Sequence, residues 1–228
     1  MTKQFDKYST TYEEELAKSL SASGEDRDFF AVGRVEWLAK CLHKLEVKPE
    51  RVLDYGCGDG LTTPMLLEKL GATTAIGADV STETIGEAVK KYATHGVSYA
   101  VLSDFVPAGN IDVAYCNGVF HHIVPDERND AVGIVRDALR PGGLFALWEN
   151  NPWNPATRYV MSRCAFDEDA ITLTPPEARR LLAKNGFEIV RTDYRFIFPR
   201  ALRMLRPLEN LVYRAPLGTQ YQVLAQKI

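Results

Sequence analysis

The residues best suited to chemistry lie in two short stretches. One is Asp54-Tyr55-Gly56-Cys57-Gly58-Asp59-Gly60, entered directly from the apolar run Val52-Leu53. Glycine at alternate positions after a strand-like run lets the chain turn sharply, and it brings backbone within contact distance of a ligand where a Cβ would block it. Asp79 closes the next apolar run 19 residues beyond Gly60, and a carboxylate at that separation suits the two hydroxyls of a ribose. The plain alternative is a tight strand-to-helix turn, with Asp79 capping the helix that follows. The other stretch is Asn117-Gly118-Val119-Phe120-His121-His122-Ile123. Histidine titrates near neutral pH, so His121 or His122, with His122 the stronger candidate, can take a proton from a hydroxyl, an amine or an activated carbon acid. The alternative is that His121 packs against a sheet and His122 caps local backbone. A metal is not expected, because no third ligand stands in evident register with the two histidines.

These residues need elements to hold them. Apolar β-type runs at Arg51 to Tyr55, Ala75 to Asp79, Val97 to Leu102, Asp112 to Cys116 and Gly143 to Glu149 alternate with helical patterns at Thr62 to Lys69, Ser81 to Thr94 and Asp126 to Leu139. That alternation predicts a parallel sheet covered by helices. Ser81 and Asp126 are candidate N-caps, and Arg140-Pro141-Gly142-Gly143 reads as a turn before the fifth strand. An amphipathic helix is expected over Phe30 to Lys44, ended by Lys48-Pro49. After Glu149, two prolines in Asn150 to Pro155 demand a loop. A helix over Pro175 to Asn185, capped by Thr174 and stopped by Gly186, then leads to last strands at Phe187 to Phe198 and Gln220 to Gln226.

At 228 residues, 46% hydrophobic and 25% charged, the chain can bury one sizeable core. A net charge of −3 gives no broad nucleic-acid footprint. Cys41, Cys57, Cys116 and Cys164 are too dispersed for a zinc knuckle or a disulfide framework and are read as reduced. With no apolar N-terminal stretch and no span of 18 apolar residues, neither a signal peptide nor a membrane span is expected, and the expected location is the cytoplasm. Absence of linkers and repeats predicts a single domain over 1–228.

The glycine loop, Asp79 and the later Arg-Pro-Gly-Gly turn together resemble the class I S-adenosylmethionine-dependent methyltransferases over roughly Val52 to Glu149. The resemblance implies a Rossmann-like α/β three-layer sandwich with a seven-stranded sheet in the order 3-2-1-4-5-7-6, strand 7 antiparallel. It implies S-adenosyl-L-methionine as cofactor, with S-adenosyl-L-homocysteine as product. Gly56, Cys57, Gly58 and Gly60 would cradle its methionine part, Asp79 with Val80 would take the ribose, Asp104 and Phe105 would border the adenine, and Asp54 with the Asn117 carbonyl would hold the amino group. Residues 1–48 would form a helical lid, with Tyr8 or Tyr12 against the methionine chain and Arg34 on its carboxylate. Residues 49–150 would form the cofactor core and 151–228 the substrate side. The sulfonium is a good leaving group, so the protein's share is alignment and exclusion of water.

The string Asn151-Pro152-Trp153-Asn154-Pro155-Ala156-Thr157-Arg158, followed by Cys164-x-Phe166-Asp167-x-Asp169, resembles a bacterial small-molecule subgroup acting in sugar, lipid or natural-product pathways. Glu149, Asn151, Trp153 and Arg158 are its candidate acceptor residues. That subgroup usually has histidine after the glutamate, where this chain has Asn150. From Arg179 to Arg214, nine basic side chains face three acidic ones, and Leu202, Leu205, Leu208, Leu211 and Val212 recur among them at helical spacing. This predicts an amphipathic cover over the protein; the alternatives within Arg200 to Arg214 are recognition of a phosphate or contact with an anionic lipid surface. The expected acceptor is a small, anionic or neutral metabolite, and the expected state is a monomer or homodimer. Two other readings stay open: a non-catalytic homologue that still binds the cofactor, and a nicotinamide oxidoreductase. The latter is opposed by Leu61 where a dinucleotide loop has its third glycine.

Overall fold

The computed structural model describes residues 23–164 and 167–228. Tyr8, Tyr12 and Phe166 lie outside the described residues. Strands β1 (Arg51–Tyr55), β2 (Thr74–Asp79), β3 (Val97–Val101), β4 (Ile111–Asn117), β5 (Leu139–Asn150), β6 (Phe187–Arg195) and β7 (Gln220–Lys227) form one sheet in the order β3-β2-β1-β4-β5-β7-β6. The first five run parallel, and β7 is antiparallel to both β5 and β6. The architecture is therefore the Rossmann-like α/β sandwich that the sequence led us to expect.

The helices are α1 (Arg27–Lys44), α2 (Thr62–Leu70), α3 (Thr82–Tyr92), α4 (Arg128–Ala138), α5 (Pro155–Met161), α6 (Pro175–Lys184) and α7 (Glu209–Val212). Period-two alternation sorts the strands' side chains between two cores. Leu53, Tyr55, Phe145 and Leu147 face the core that holds Val132 and Val135 of α4 and Leu182 of α6. Val52, Leu144, Ala146 and Trp148 face the opposite core, with Leu38 of α1 and Leu66 of α2. Central strands buried on both faces need near-continuous apolar sequence.

The element ends follow local chemistry. Ser81 caps α3 through the Thr84 amide, and Thr174 and Glu177 close a capping box on α6. Asp126 does not cap α4: Pro125 starts a short 3-10 turn, Pro125–Glu127, and α4 begins at Arg128 with no side-chain cap. Helix α1 ends at Lys44, before Lys48-Pro49, because the Leu45 and Val47 amides fold back onto Cys41 and Leu42 carbonyls and Glu46 turns left-handed at φ 57°. Arg140 to Gly143 is a bulge inside β5, where the register with β4 jumps between Ile111 and Val113. The proline loop is shorter than expected, since Asn154 caps α5 and Pro155 is its first residue.

The segment between β6 and β7 departs most from expectation. A run of 3-10 turns, Arg200–Leu208, precedes α7. Leu202, Leu205, Leu208, Leu211 and Val212 do not cover the core but are exposed. The segment is fixed instead by polar side chains, chiefly the buried Glu209 carboxylate, which accepts from the Ile197 and Phe198 amides. Its far end is pinned at Gly218, where a Cβ would stand 2.3 Å from the Arg195 carbonyl oxygen.

Phe145 on β5 is fully buried and stacks near the Phe120 and Phe187 rings. Phe145→Ala is expected to lower unfolding free energy by about 3–5 kcal/mol, read as an earlier midpoint in urea at unchanged slope.

Candidate active site

A cavity of about 950 Å³ opens at the carboxyl ends of the parallel strands, at the upper end of the roughly 300–1,000 Å³ usual for small-ligand sites. Its floor is the turn after β1. Gly56, Gly58 and Gly60 have φ of 72°, 53° and 85°, in the left-handed region that glycine takes without strain. A Cβ on Gly56 would come within 2.3 Å of Val119, whereas one on Gly58 would meet nothing. Gly60 is a packing glycine, because its Cβ would strike Ala88 and Tyr99, and it is not part of the cavity wall.

The loop's amides are largely committed within the protein. Gly56 and Cys57 donate to the Ala78 carbonyl, Gly60 donates to the Cys57 carbonyl, and Gly58 donates to Asp79 Oδ2 at 2.9 Å. What the loop presents is negative charge. Asp54, Asp59 and Asp79 all line the cavity. Burial drives the Asp54 carboxyl up to about 7, against the Thr63 hydroxyl that donates to it at 2.8 Å. Burial also raises Asp79, against the amides of Ser81 and Gly58. Asp59 is half-buried, yet Arg27 of α1 grips it through both terminal guanidinium nitrogens and holds it below the usual carboxylate range. Sequence reasoning missed this Arg27–Asp59 clasp, since nothing local links residues 32 apart.

Beyond β4 and β5 lies the imidazole end. Glu149, the penultimate residue of β5, is 1% exposed; it accepts from the Phe120 amide at 2.8 Å and lies 2.6 Å from His121 Nδ1. His121 Nε2 is 3.4 Å from Asp167 Oδ1, and His122 Nε2 is 3.8 Å from the same oxygen. Burial works against a charge on His121, but Glu149 and Asp167 outweigh it and hold the imidazole well above its usual range. Burial and the neighbouring His121 charge push His122 down to about 4. One histidine is thereby a cation held between carboxylates, and the other is neutral. Asp167 also supplies the third ligand whose absence spoke against a metal: ligand atoms of His121, His122 and Asp167 lie within 4.8 Å of one another.

Of the other expected site residues, Val80, Asn117 and Arg34 line the cavity. Arg34 is buried, its Nε on the Tyr115 hydroxyl and its Nη1 on Gln220, both at 3.0 Å. Asp104 and Phe105 fall outside the wall, because the chain turns at Val101 and leaves Leu102 facing the cavity. None of Glu149, Asn151, Trp153 and Arg158 lines it either. Glu149 is spent on Phe120 and His121, and the Asn151 carboxamide anchors the Pro216 and Gly218 carbonyls. Trp153 and Arg158 point to solvent from the start of α5. Their neighbours Asn150, Thr157 and Tyr159 form that wall in their place, a shift that came with the unforeseen helix.

Residues 52–143 match the family described as a methyltransferase domain. Over those residues this chain carries a methyltransferase domain. Trans-aconitate 2-methyltransferase of Rhodopseudomonas palustris (strain BisB18) is 29% identical over 120 residues, which are 53% of this chain and 46% of that protein. An uncharacterized methyltransferase of Synechocystis sp. is 29% identical over 159 residues, 66% of this chain and 73% of that one. Among solved structures, magnesium protoporphyrin IX methyltransferase from Synechocystis PCC 6803, with bound SAH, superposes with a TM-score of 0.61 at 17% identity, over 92% of this chain and 86% of that chain. The chain spans about half the length of the trans-aconitate methyltransferases it matches. S-adenosylmethionine is the cofactor that the methyltransferase family uses, and a sulfonium cation suits a cavity lined by the Asp54 and Asp79 carboxyls.

The raised His121 pKa makes a signed prediction. Stability from this group is complete below the unfolded value of 6.5 and is lost as pH climbs through about 10. In His121→Gln, the fall in melting temperature across that window should be smaller than in the parent, as differential scanning calorimetry at stepped pH will read.

Proposed function

We propose that this protein is an S-adenosylmethionine-dependent methyltransferase acting on a small, largely apolar acceptor. The carrying observation is the charge of the glycine loop: Asp54 and Asp79, with Asp59 paired to Arg27, surround a turn whose Gly56, Cys57, Gly58 and Gly60 amides are already spent. A dinucleotide's pyrophosphate would meet repulsion and few donors there, whereas a cofactor bearing an ammonium and a sulfonium meets attraction. This favours methyl transfer over the oxidoreductase alternative.

The cofactor supplies an electrophilic methyl on a positively charged sulfur. Asp79, fixed by the Gly58 and Ser81 amides, would take the ribose hydroxyls, with Val80 beside it. Asp54 and the Asn117 carbonyl would hold the amino group, Gly56, Cys57 and Gly58 would give the methionine chain its close wall, and Arg34 would meet the carboxylate. Helix α1 would act as cover, clasped to the loop by Arg27 and Asp59. At the far end the neutral His122 would accept a proton where the acceptor atom carries one, with Asp167 beside it to stabilise the imidazolium. Glu149 and His121 act as positioning residues that fix the turn carrying His122. The acceptor's surroundings include Phe29, Phe30, Ile123, Phe196 and Phe198, which suits an apolar body better than the tricarboxylate named for the trans-aconitate enzymes.

Calorimetric titration with S-adenosylmethionine, and separately with NADH, tests the reading. Micromolar binding of the first, at least about tenfold weaker in Asp79→Ala, is expected; preference for NADH would sink it. A second outcome concerns Asp54, whose carboxyl stands near 7. A cation docking beside it lowers that pKa, so binding at neutral pH should release a proton. The observed heat will then vary with buffer ionisation enthalpy in the parent and cease to vary in Asp54→Asn.

A further inference from the structure

The stretch 200–217 inverts the usual order of a surface element. Apart from Tyr213, which packs against Trp37, its inward groups are polar. Glu209 is 4% exposed and accepts from the Ile197 and Phe198 amides, and Arg206 reaches back to the Phe198 carbonyl and to Glu25. Its outward groups are large and apolar. Met204 and Leu211 are 85% and 79% exposed, and Leu202, Leu205, Leu208 and Leu217 are exposed with them. Scattered apolar residues on a surface need no account, but a contiguous series anchored from beneath by buried charge does. Four arginines stand against the single Glu209 in this stretch, and Arg200, Arg203 and Arg214 are exposed among the apolar side chains.

This ledge adjoins the cavity. Phe196, Ile197, Phe198 and Pro199 line the cavity, and the ledge begins at the next residue. Arg200 packs against Gly24, next to the lining residues Ser23 and Glu25. At the other end the Asn154 carboxamide donates to the Leu217 carbonyl at 2.7 Å, which ties the ledge to the turn bearing the exposed Trp153.

We propose that this ledge is a docking site for an anionic bilayer surface, through which a lipid-borne amphipathic acceptor reaches the cavity. The acceptor half rests on the methyltransferase reading; the membrane contact does not. The occupant follows from complementarity. Arginines at the level of lipid phosphates and leucines and methionine below them match a surface anionic outside and apolar a few ångströms deeper, and an exposed tryptophan suits the boundary between the two. The aromatic residues at the cavity's near end, Phe29, Phe30, Phe196 and Phe198, continue that apolar path inward.

The test uses the full chain and sedimentation with vesicles of equimolar phosphatidylcholine and phosphatidylglycerol, compared with phosphatidylcholine alone. Binding to the anionic vesicles, about tenfold weaker on the neutral ones and about tenfold weaker in the double variant Met204→Glu, Leu211→Glu, is expected. Both substituted side chains already face solvent, and unchanged calorimetric binding of S-adenosylmethionine by the variant shows that the cavity is intact. Absence of vesicle binding by the parent, or equal binding by parent and variant, overturns the membrane contact. So does a parent that is dimeric by light scattering and becomes monomeric in the variant without binding vesicles, since the ledge is then an interface between copies. With methyl-tritiated cofactor and a total lipid extract, label in the organic phase supports the lipid-borne acceptor, and label confined to the aqueous phase overturns it. Failure of the parent to bind S-adenosylmethionine is read in the calorimeter alone and strikes the methyltransferase reading, not the docking.

Discussion

Strands β1, β2, β4 and β5 run parallel, so all four end on one edge of the sheet, and each end leaves backbone groups that the sheet no longer pairs. Those groups must be met before the chain can turn away. Asp79 meets the amides of Gly58 and Ser81, and Glu149 meets the amide of Phe120. Asp79 also lines the cavity, and Glu149 holds His121, which does. Closing the strand ends and building the site are one task, and this is why the chemistry gathers at this edge and not at the opposite one.

The edge is electrically divided. Under β1 and β2, carboxylates are balanced in part by Arg27 and Arg34 of α1 and by Lys91. Past β4 and β5, two imidazoles share Asp167 and Glu149 and settle into opposite protonation states. Two adjacent residues of one type thus acquire different chemistry from a few ångströms of difference in burial and partner. The cavity thus carries carboxylates of the glycine loop at one side and a histidine pair at the other.

The parallel core and the glycine loop were legible in the sequence because their signals are local: alternation of apolar runs, glycine at fixed spacing, a carboxylate at the end of the second strand. The place of β6 and β7 in the sheet and the antiparallel direction of β7 came only from family resemblance, as no short-range pattern encodes them. Asp104 and Phe105 fall outside the cavity wall because the turn after Val101 leaves Leu102 there, a detail that spacing does not record. Arg158 was misplaced because Pro155 opens a helix there instead of prolonging a loop. Arg27 with Asp59, and Asp167 with the histidines, are contacts between distant segments, invisible until the chain is folded. The leucines of 200–212 misled most: their helical period was read correctly, but period alone does not say which side faces the protein.

Gly218 bears on more than packing. Hydrogen is the only side chain that fits between it and the Arg195 backbone, and Glu209 locks the other half of the segment onto Ile197 and Phe198. Between those ends the Tyr213 carbonyl accepts from the Tyr194 amide of β6, so the stretch is fastened to the sheet through backbone. Because these anchors are backbone groups and one buried carboxylate, the outward side chains of the stretch can change without loosening it from the sheet.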